Sequence, residues 1–130
     1  MIKYSYTIMY VKQVDATLAF YESAFGFERK FITPEADYAE LISGETTLAF
    51  AREDLAQSNL SKGYRTVSKD QVMGIELGFV VDNVEEAVDR AIEAGATLYE
   101  PIKVKPWGQT VAYVIDCNGF LIELCTAMEV

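Results

Sequence analysis

The spacing of apolar positions divides the chain into short β-type runs and amphipathic helical stretches. Tyr4, Tyr6, Ile8 and Tyr10 alternate with Ser5, Thr7, Met9 and Val11, which predicts a strand apolar on both sides and buried on both. Val14, Leu18, Tyr21 and Phe25 then recur at helical spacing, with Asp15 in the first turn and Gly26 placed to end the helix in a left-handed cap. Three β-rich runs follow at 27–33, 38–42 and 46–51, broken by the turn-forming stretches 34–37 and 43–45. This order is β-α-β-β-β.

From Arg52 the chain turns polar and loses its period, apart from a possible turn of helix near 54–60, so residues 53–73 read as a linker between halves. A strand at 75–81 comes next. Asn83 with Glu86 three residues on forms a capping-box-like start to a helix carrying Val84, Ala87, Val88, Ala91 and Ile92 on one face, and Gly95 ends it. Runs at 97–104, 110–115 and 120–125 complete a second β-α-β-β-β. The halves correspond residue by residue: Val11, Val14 and Gly26 answer to Val81, Val84 and Gly95 at an offset of about 70, which reads as an internal duplication. In that register Tyr6 matches Glu76, and the counterpart of Glu123 falls near Leu48. The predicted architecture is α+β: two tandem βαβββ modules, 1–52 and 74–130, whose curved mixed sheets enclose a cleft.

Residues 116–119, Asp-Cys-Asn-Gly, separate the last two runs, and Asn-Gly is a strong hairpin signal. In the final run Leu121, Glu123 and Cys125 point one way and Phe120, Ile122 and Leu124 the other, so a lone carboxylate sits mid-strand on a mostly apolar face. Glu123 is either a solvated surface charge or, if the strand lines a pocket, a ligand, base or hydrogen-bond acceptor.

Composition narrows the function. At 51% hydrophobic over 130 residues the chain can fill the core of a single domain. Eleven basic against 20 acidic residues give a net charge of −9, which repels phosphate backbones and anionic membrane surfaces; no nucleic-acid or membrane partner is expected. No apolar run approaches the length of a membrane span, and the first residues lack the layout of a signal peptide, so a cytoplasmic location is expected. Cys117 and Cys125 show no framework spacing and read as free thiols. Histidine is absent altogether, which removes serine-histidine, cysteine-histidine and histidine-metal chemistry from within the chain.

The stretches Val14-Asp15-Ala16-Thr17-Leu18-Ala19-Phe20-Tyr21 through Phe25-Gly26-Phe27, Val81-Asp82-Asn83-Val84-Glu85-Glu86-Ala87 through Gly95-Ala96, and Asp116-Cys117-Asn118-Gly119-Phe120-Leu121-Ile122-Glu123-Leu124 together resemble the vicinal oxygen chelate superfamily, which includes glyoxalase, extradiol dioxygenases, fosfomycin-resistance and bleomycin-binding proteins. The resemblance implies a homodimer, with modules from two chains closing each site. It also implies ligand positions on the first and last strands of each module, which here are Tyr6, roughly Leu48, Glu76 and Glu123. Only the two carboxylates ligate metals readily, and without histidine they make a poor site for nickel, zinc or iron.

The reading that follows is a metal-independent small-molecule binding protein, similar to the bleomycin-resistance-type members, with no cofactor. Tyr6, Phe50, Glu76, Trp107, Tyr113 and Glu123 are its ligand-binding set: aromatic walls for stacking, with Tyr4 and Tyr38 as further candidates, and carboxylates for a cation. The aromatics serve equally as core packing. Trp107, in the turn Lys105-Pro106-Trp107-Gly108-Gln109, is either a ligand contact or a lid over the core, and Arg52 either leans over the cleft or forms an exposed salt bridge. The alternative is a glyoxalase-like lyase or isomerase that uses a divalent metal ion held by Glu76 and Glu123, with Glu123 as ligand or base. A third is a pure interaction scaffold.

Overall fold

A computed structural model describes residues 1–128. The first half contains β1 (Tyr6–Val11), α1 (Val14–Phe25), β2 (Glu28–Ile32), β3 (Tyr38–Ser43) and β4 (Thr46–Arg52). The polar stretch after β4 holds one short helix, α2 (Glu53–Asn59). The second half contains β5 (Glu76–Val80), α3 (Val84–Ala94), β6 (Thr97–Val104), β7 (Thr110–Ile115) and β8 (Leu121–Cys125). Each half makes a four-stranded mixed sheet, in the orders β1-β4-β3-β2 and β5-β8-β7-β6; the β1/β4 and β5/β8 pairs are parallel and the rest antiparallel. The fold is therefore α+β with two βαβββ modules. By contacts the chain forms two compact units: residues 1–22 with 26–66, and residues 23–25 with 67–130.

Local chemistry sets the helix ends. Gly26 adopts φ 71°, and its N–H closes α1 on the Glu22 carbonyl, the left-handed stop that only glycine takes cheaply. The Asn83 side chain accepts the Glu86 N–H at 3.0 Å, capping α3.

In both units one sheet face is covered by a helix. In the first, Tyr21 of α1 lies with its ring 5.1 Å from Phe50, both fully buried, alongside Leu18, Leu41 and Val11. In the second, α3 buries Val84, Val88 and Ala91, and β7 and β8 contribute Ala112, Val114, Ile122 and Leu124. Each of the valine, leucine, isoleucine and phenylalanine side chains contributes about 1.5–3 kcal/mol through burial. The opposite, helix-free faces carry the polar chemistry.

Two expectations change. β1 is buried on one side only: Met9 and Val11 are buried, whereas Tyr6 (48% exposed) and Ile8 (42%) lie on the helix-free face, because the apolar residues there meet no helix of their own sheet. Leu48 is buried and faces α1; the first-half counterpart of Glu123 is Ala49, since Ala49 pairs with Ile8 as Glu123 pairs with Gly78. A strand alternates with period two, so an error of one residue exchanges faces. The β7–β8 hairpin forms where the Asn-Gly signal places it. Ile115 pairs with Leu121, and the buried Asp116 Oδ1 accepts the N–H groups of Asn118, Gly119 and Phe120 at 2.8–2.9 Å. A carboxylate that gathers three backbone donors reinforces a loop that also keeps its own backbone bond, from the Asp116 N–H to the Phe120 carbonyl at 3.0 Å.

Candidate functional site

The helix-free face of the second unit follows from strand register. Gly78 of β5 pairs with Glu123 of β8, which pairs with Tyr113 of β7, which pairs with Glu100 of β6. One row below, Glu76 pairs with Leu121. Residues directly opposite share a face, so Glu76, Glu123, Glu100, Tyr113 and Cys125 belong to one surface.

Tyr113 ties this surface together. Its hydroxyl donates to Glu123 Oε2 at 3.2 Å and also lies within reach of the Glu76 carboxylate. Burial first, and then the two negative charges, push the phenol up to about 12, so at neutral pH it is a neutral donor. Cys125, adjacent along the face, is pushed up to about 11 by burial and by the same two carboxylates; its thiol lies 3.7 Å from the Phe79 carbonyl and is a poor nucleophile in this setting. Glu123 is half-buried and Glu76 exposed, and among the described residues no lysine or arginine forms an ion pair with either. The arrangement is a pair of carboxylates clamped by one phenol on a largely apolar sheet, suited to accepting hydrogen bonds and to balancing a positive charge.

The remaining predicted residues fall elsewhere. Phe50 is wholly buried beneath α1 against Tyr21, so it belongs to the core of the first unit and not to a helix-free face. Tyr6 lies on the helix-free face of the first unit, opposite Thr47. Trp107 is 62% exposed in the β6–β7 turn, so it does not act as a lid over the core. Its Nε1–H donates to Gln109 Oε1 at 2.7 Å, and Gln109 Nε2 donates to the Thr126 carbonyl at 2.9 Å, which fixes the indole by its edge and leaves its faces accessible. Arg52 is engaged by Asp54 at 2.7 Å and 3.0 Å and by the Glu35 carbonyl at 3.0 Å, an exposed salt bridge.

Sequence reading passed over a second cluster, on the helix-free face of the first unit. Tyr38 donates to Glu40 Oε2 at 2.7 Å, and Lys30 Nζ lies 3.5 Å from Glu40 Oε1. Burial and the Glu40 carboxylate push the Tyr38 phenol far up. The alternation Tyr38-Ala39-Glu40 already placed both polar groups on one side of β3.

Donor chemistry tests whether the face fits the divalent metal of the superfamily's enzymes. Among the described residues no three His, Cys, Asp or Glu side chains are grouped to hold an ion, and the pair Glu76 and Glu123, with one oxygen already taken by Tyr113, lacks the nitrogen or thiolate donors that nickel, zinc and iron favour. The pair does not fit nickel, zinc or iron.

Two βαβββ modules with this strand order define the vicinal oxygen chelate architecture. A family model, the glyoxalase-like domain, matches residues 4–129, and the chain belongs to that family, within the vicinal oxygen chelate superfamily. Solved structures share the fold. A glyoxalase-related enzyme from Fulvimarina pelagi aligns with TM-score 0.81 at 19% identity, covering 98% of this chain and 89% of its own. A glyoxalase/bleomycin resistance protein/dioxygenase family enzyme from Burkholderia phytofirmans PsJN aligns with TM-score 0.76 at 23% identity, covering 94% and 96%. TioX from Micromonospora sp. ML1 aligns with TM-score 0.71 at 20% identity, covering 95% and 98%. A search of curated proteins finds no match. At these identities the likeness establishes the fold alone.

Proposed function

We propose that the protein is a metal-independent small-molecule binding protein, akin to the bleomycin-resistance-type members of its superfamily, and that it holds an aromatic or cationic ligand on the helix-free face of the second unit. The observation that carries this reading is the carboxylate pair Glu76 and Glu123, joined by the neutral Tyr113 hydroxyl and lacking a basic partner among the described residues. Two nearby negative charges repel, and a bound cation relieves that repulsion. Tyr113 then orients Glu123, and the faces of Trp107 offer stacking area on the same unit.

A cytoplasmic homodimer completes the reading. Two cysteines without framework spacing suit a reducing compartment, and the exposed apolar side chains of Tyr6, Ile8, Val80 and Val104 are of the kind that a second copy covers. No helix is long and apolar enough to cross a membrane.

Metal analysis of the purified protein, with native mass by light scattering, tests both parts. The expected result is no stoichiometric transition metal, no loss of stability to a chelator, and a dimer mass. About one nickel, zinc or iron per chain, with unfolding on its removal, would overturn the metal-independent reading in favour of a glyoxalase-like lyase or isomerase. A concentration-independent monomer would overturn the dimer.

A further inference from the structure

Gly78 is the one glycine inside a strand of the described residues, and its backbone does not require it. Six of the eight glycines have positive φ, where only glycine is comfortable; Gly78 is not among them. Glycine within a strand costs about 0.5–1 kcal/mol relative to alanine and signals a bulge, a close approach of another backbone, or a close approach of a ligand. The β5–β8 pairing runs unbroken from Glu76 to Val80, so there is no bulge. A Cβ built on Gly78 would meet a single atom within 4 Å, Glu123 Oε1 at 3.6 Å, so no backbone crowds the position. A ligand remains.

The first unit shows what the same point looks like when filled. Ile8 stands where Gly78 does, paired with the small Ala49 in place of Glu123. Bulk has been exchanged across the pair: large beside small in one unit, bare backbone beside a carboxylate in the other. Tyr113 holds Oε2 of Glu123, and Oε1 is the oxygen that faces the gap.

We infer that Gly78 is a specificity-determining position of the proposed site: it keeps Glu123 Oε1 uncovered so that a flat, hydrogen-bond-donating cation, of the amidinium or guanidinium class, can lie against β5 and meet the carboxylate edge-on. The inference rests on the binding reading above. A planar cation of this class can donate an N–H to Oε1 while its face lies along the bare β5 backbone, and a side chain at position 78 would narrow that approach.

The test is calorimetric titration of the full-length chain with benzamidinium and its neutral analogue benzamide, together with thermal melts. Wild type, Gly78→Ala, Gly78→Val, Glu123→Gln and the control Gly74→Ala, whose Cβ meets nothing within 4 Å, are compared. The expected result is preference for benzamidinium in wild type, a severalfold loss in Gly78→Ala, at least a tenfold loss in Gly78→Val, and no change in Gly74→Ala. Gly78→Ala should melt at or above the wild-type temperature, a combination that a merely structural glycine does not produce; if valine impairs folding, the alanine variant decides. Loss of binding in Glu123→Gln with none in either Gly78 variant would overturn this inference and leave the binding reading standing. No preference for benzamidinium over benzamide in wild type would overturn both.

Discussion

The helix-free faces of the two units share a strand order and register but handle negative charge differently. In the first, Glu40 occupies the place that Tyr113 holds in the second, since Glu40 pairs with Ala49 as Tyr113 pairs with Glu123. Glu40 has its own cation, Lys30, and a phenol, Tyr38, two residues away on the same strand. In the second unit the carboxylates Glu76 and Glu123 stand on two neighbouring strands, bridged by a phenol from a third, and among the described residues no lysine or arginine forms an ion pair with either. On the first face the carboxylate has an ion-pair partner; on the second, among the described residues, neither carboxylate has one. The strand order is the same, but the carboxylate stands on β3 in the first unit and on β5 and β8 in the second, and the bulk of Ile8 has bare backbone, Gly78, as its counterpart. That difference is the reason for assigning ligand binding to the second unit.

The connections preceding the last strand of each sheet give the largest test of the comparison. β3 and β4 meet through a tight turn, with Ser43 paired to Thr46 and Gly44 at φ 58°, and no side chain is needed to organise it. The β7–β8 loop hangs on Asp116. Asp116→Ala should cost on the order of 3 kcal/mol in urea denaturation, because three backbone N–H groups lose their acceptor, whereas Glu45→Ala in the tighter turn should stay within about 0.5 kcal/mol. Equal effects would show that the two connections are held in the same way.

A smaller effect separates the two phenols from the rest of the chain. Tyr113→Phe should cost about 1 kcal/mol, the usual value of one hydrogen bond. The folded state raises the Tyr113 phenol from 10.0 to about 12, so it favours the protonated form. The stability gained is complete below pH 10 and is lost as the pH rises toward 12. Alkaline unfolding followed with phenolate absorbance should show this loss in wild type and a diminished one in Tyr113→Phe; identical pH profiles would contradict the shared hydrogen bond.

Smallest is the effect on Cys125. With its thiol pushed up to about 11, it should label more slowly than the half-buried Cys117 at pH 8. Glu123→Gln should speed that labelling only severalfold, because burial is the largest cause of the shift and the carboxylate a lesser one. An unchanged rate would place Glu123 away from the thiol.

Much of this fold is legible in the sequence because its signals are local. Gly26, the Asn83 cap and the alternation of β8 each need only a few neighbouring residues to act, and the structure has them as the pattern predicts. The duplication was legible to about one residue, and that residue mattered: Leu48 and Ala49 differ by one position and face opposite sides of the sheet. Signals failed where the deciding partner was distant or tertiary. Nothing near Phe50 in sequence announces Tyr21, and its aromatic character suits a core as well as a ligand wall. The Asn-Gly pair announces the hairpin, but not that the buried Asp116 Oδ1 accepts three N–H groups of its loop. Of the site, Glu123 is legible from alternation, Glu76 from the resemblance and Tyr113 as an aromatic; which tyrosine joins the two carboxylates requires the register of three strands.

The account turns on which face carries unbalanced charge, and paired charge removal measures this most directly. Glu123→Gln and Glu40→Gln are each titrated with aromatic cations and their neutral analogues. We predict that Glu123→Gln weakens cation binding by roughly 1–3 kcal/mol and leaves the neutral analogues unaffected. Glu40→Gln, whose carboxylate already has Lys30, should bind as wild type does. Equal affinity of wild type and Glu123→Gln for the cations, or a loss confined to Glu40→Gln, would contradict the assignment and leave Glu123 as a structural acceptor for the Tyr113 hydroxyl.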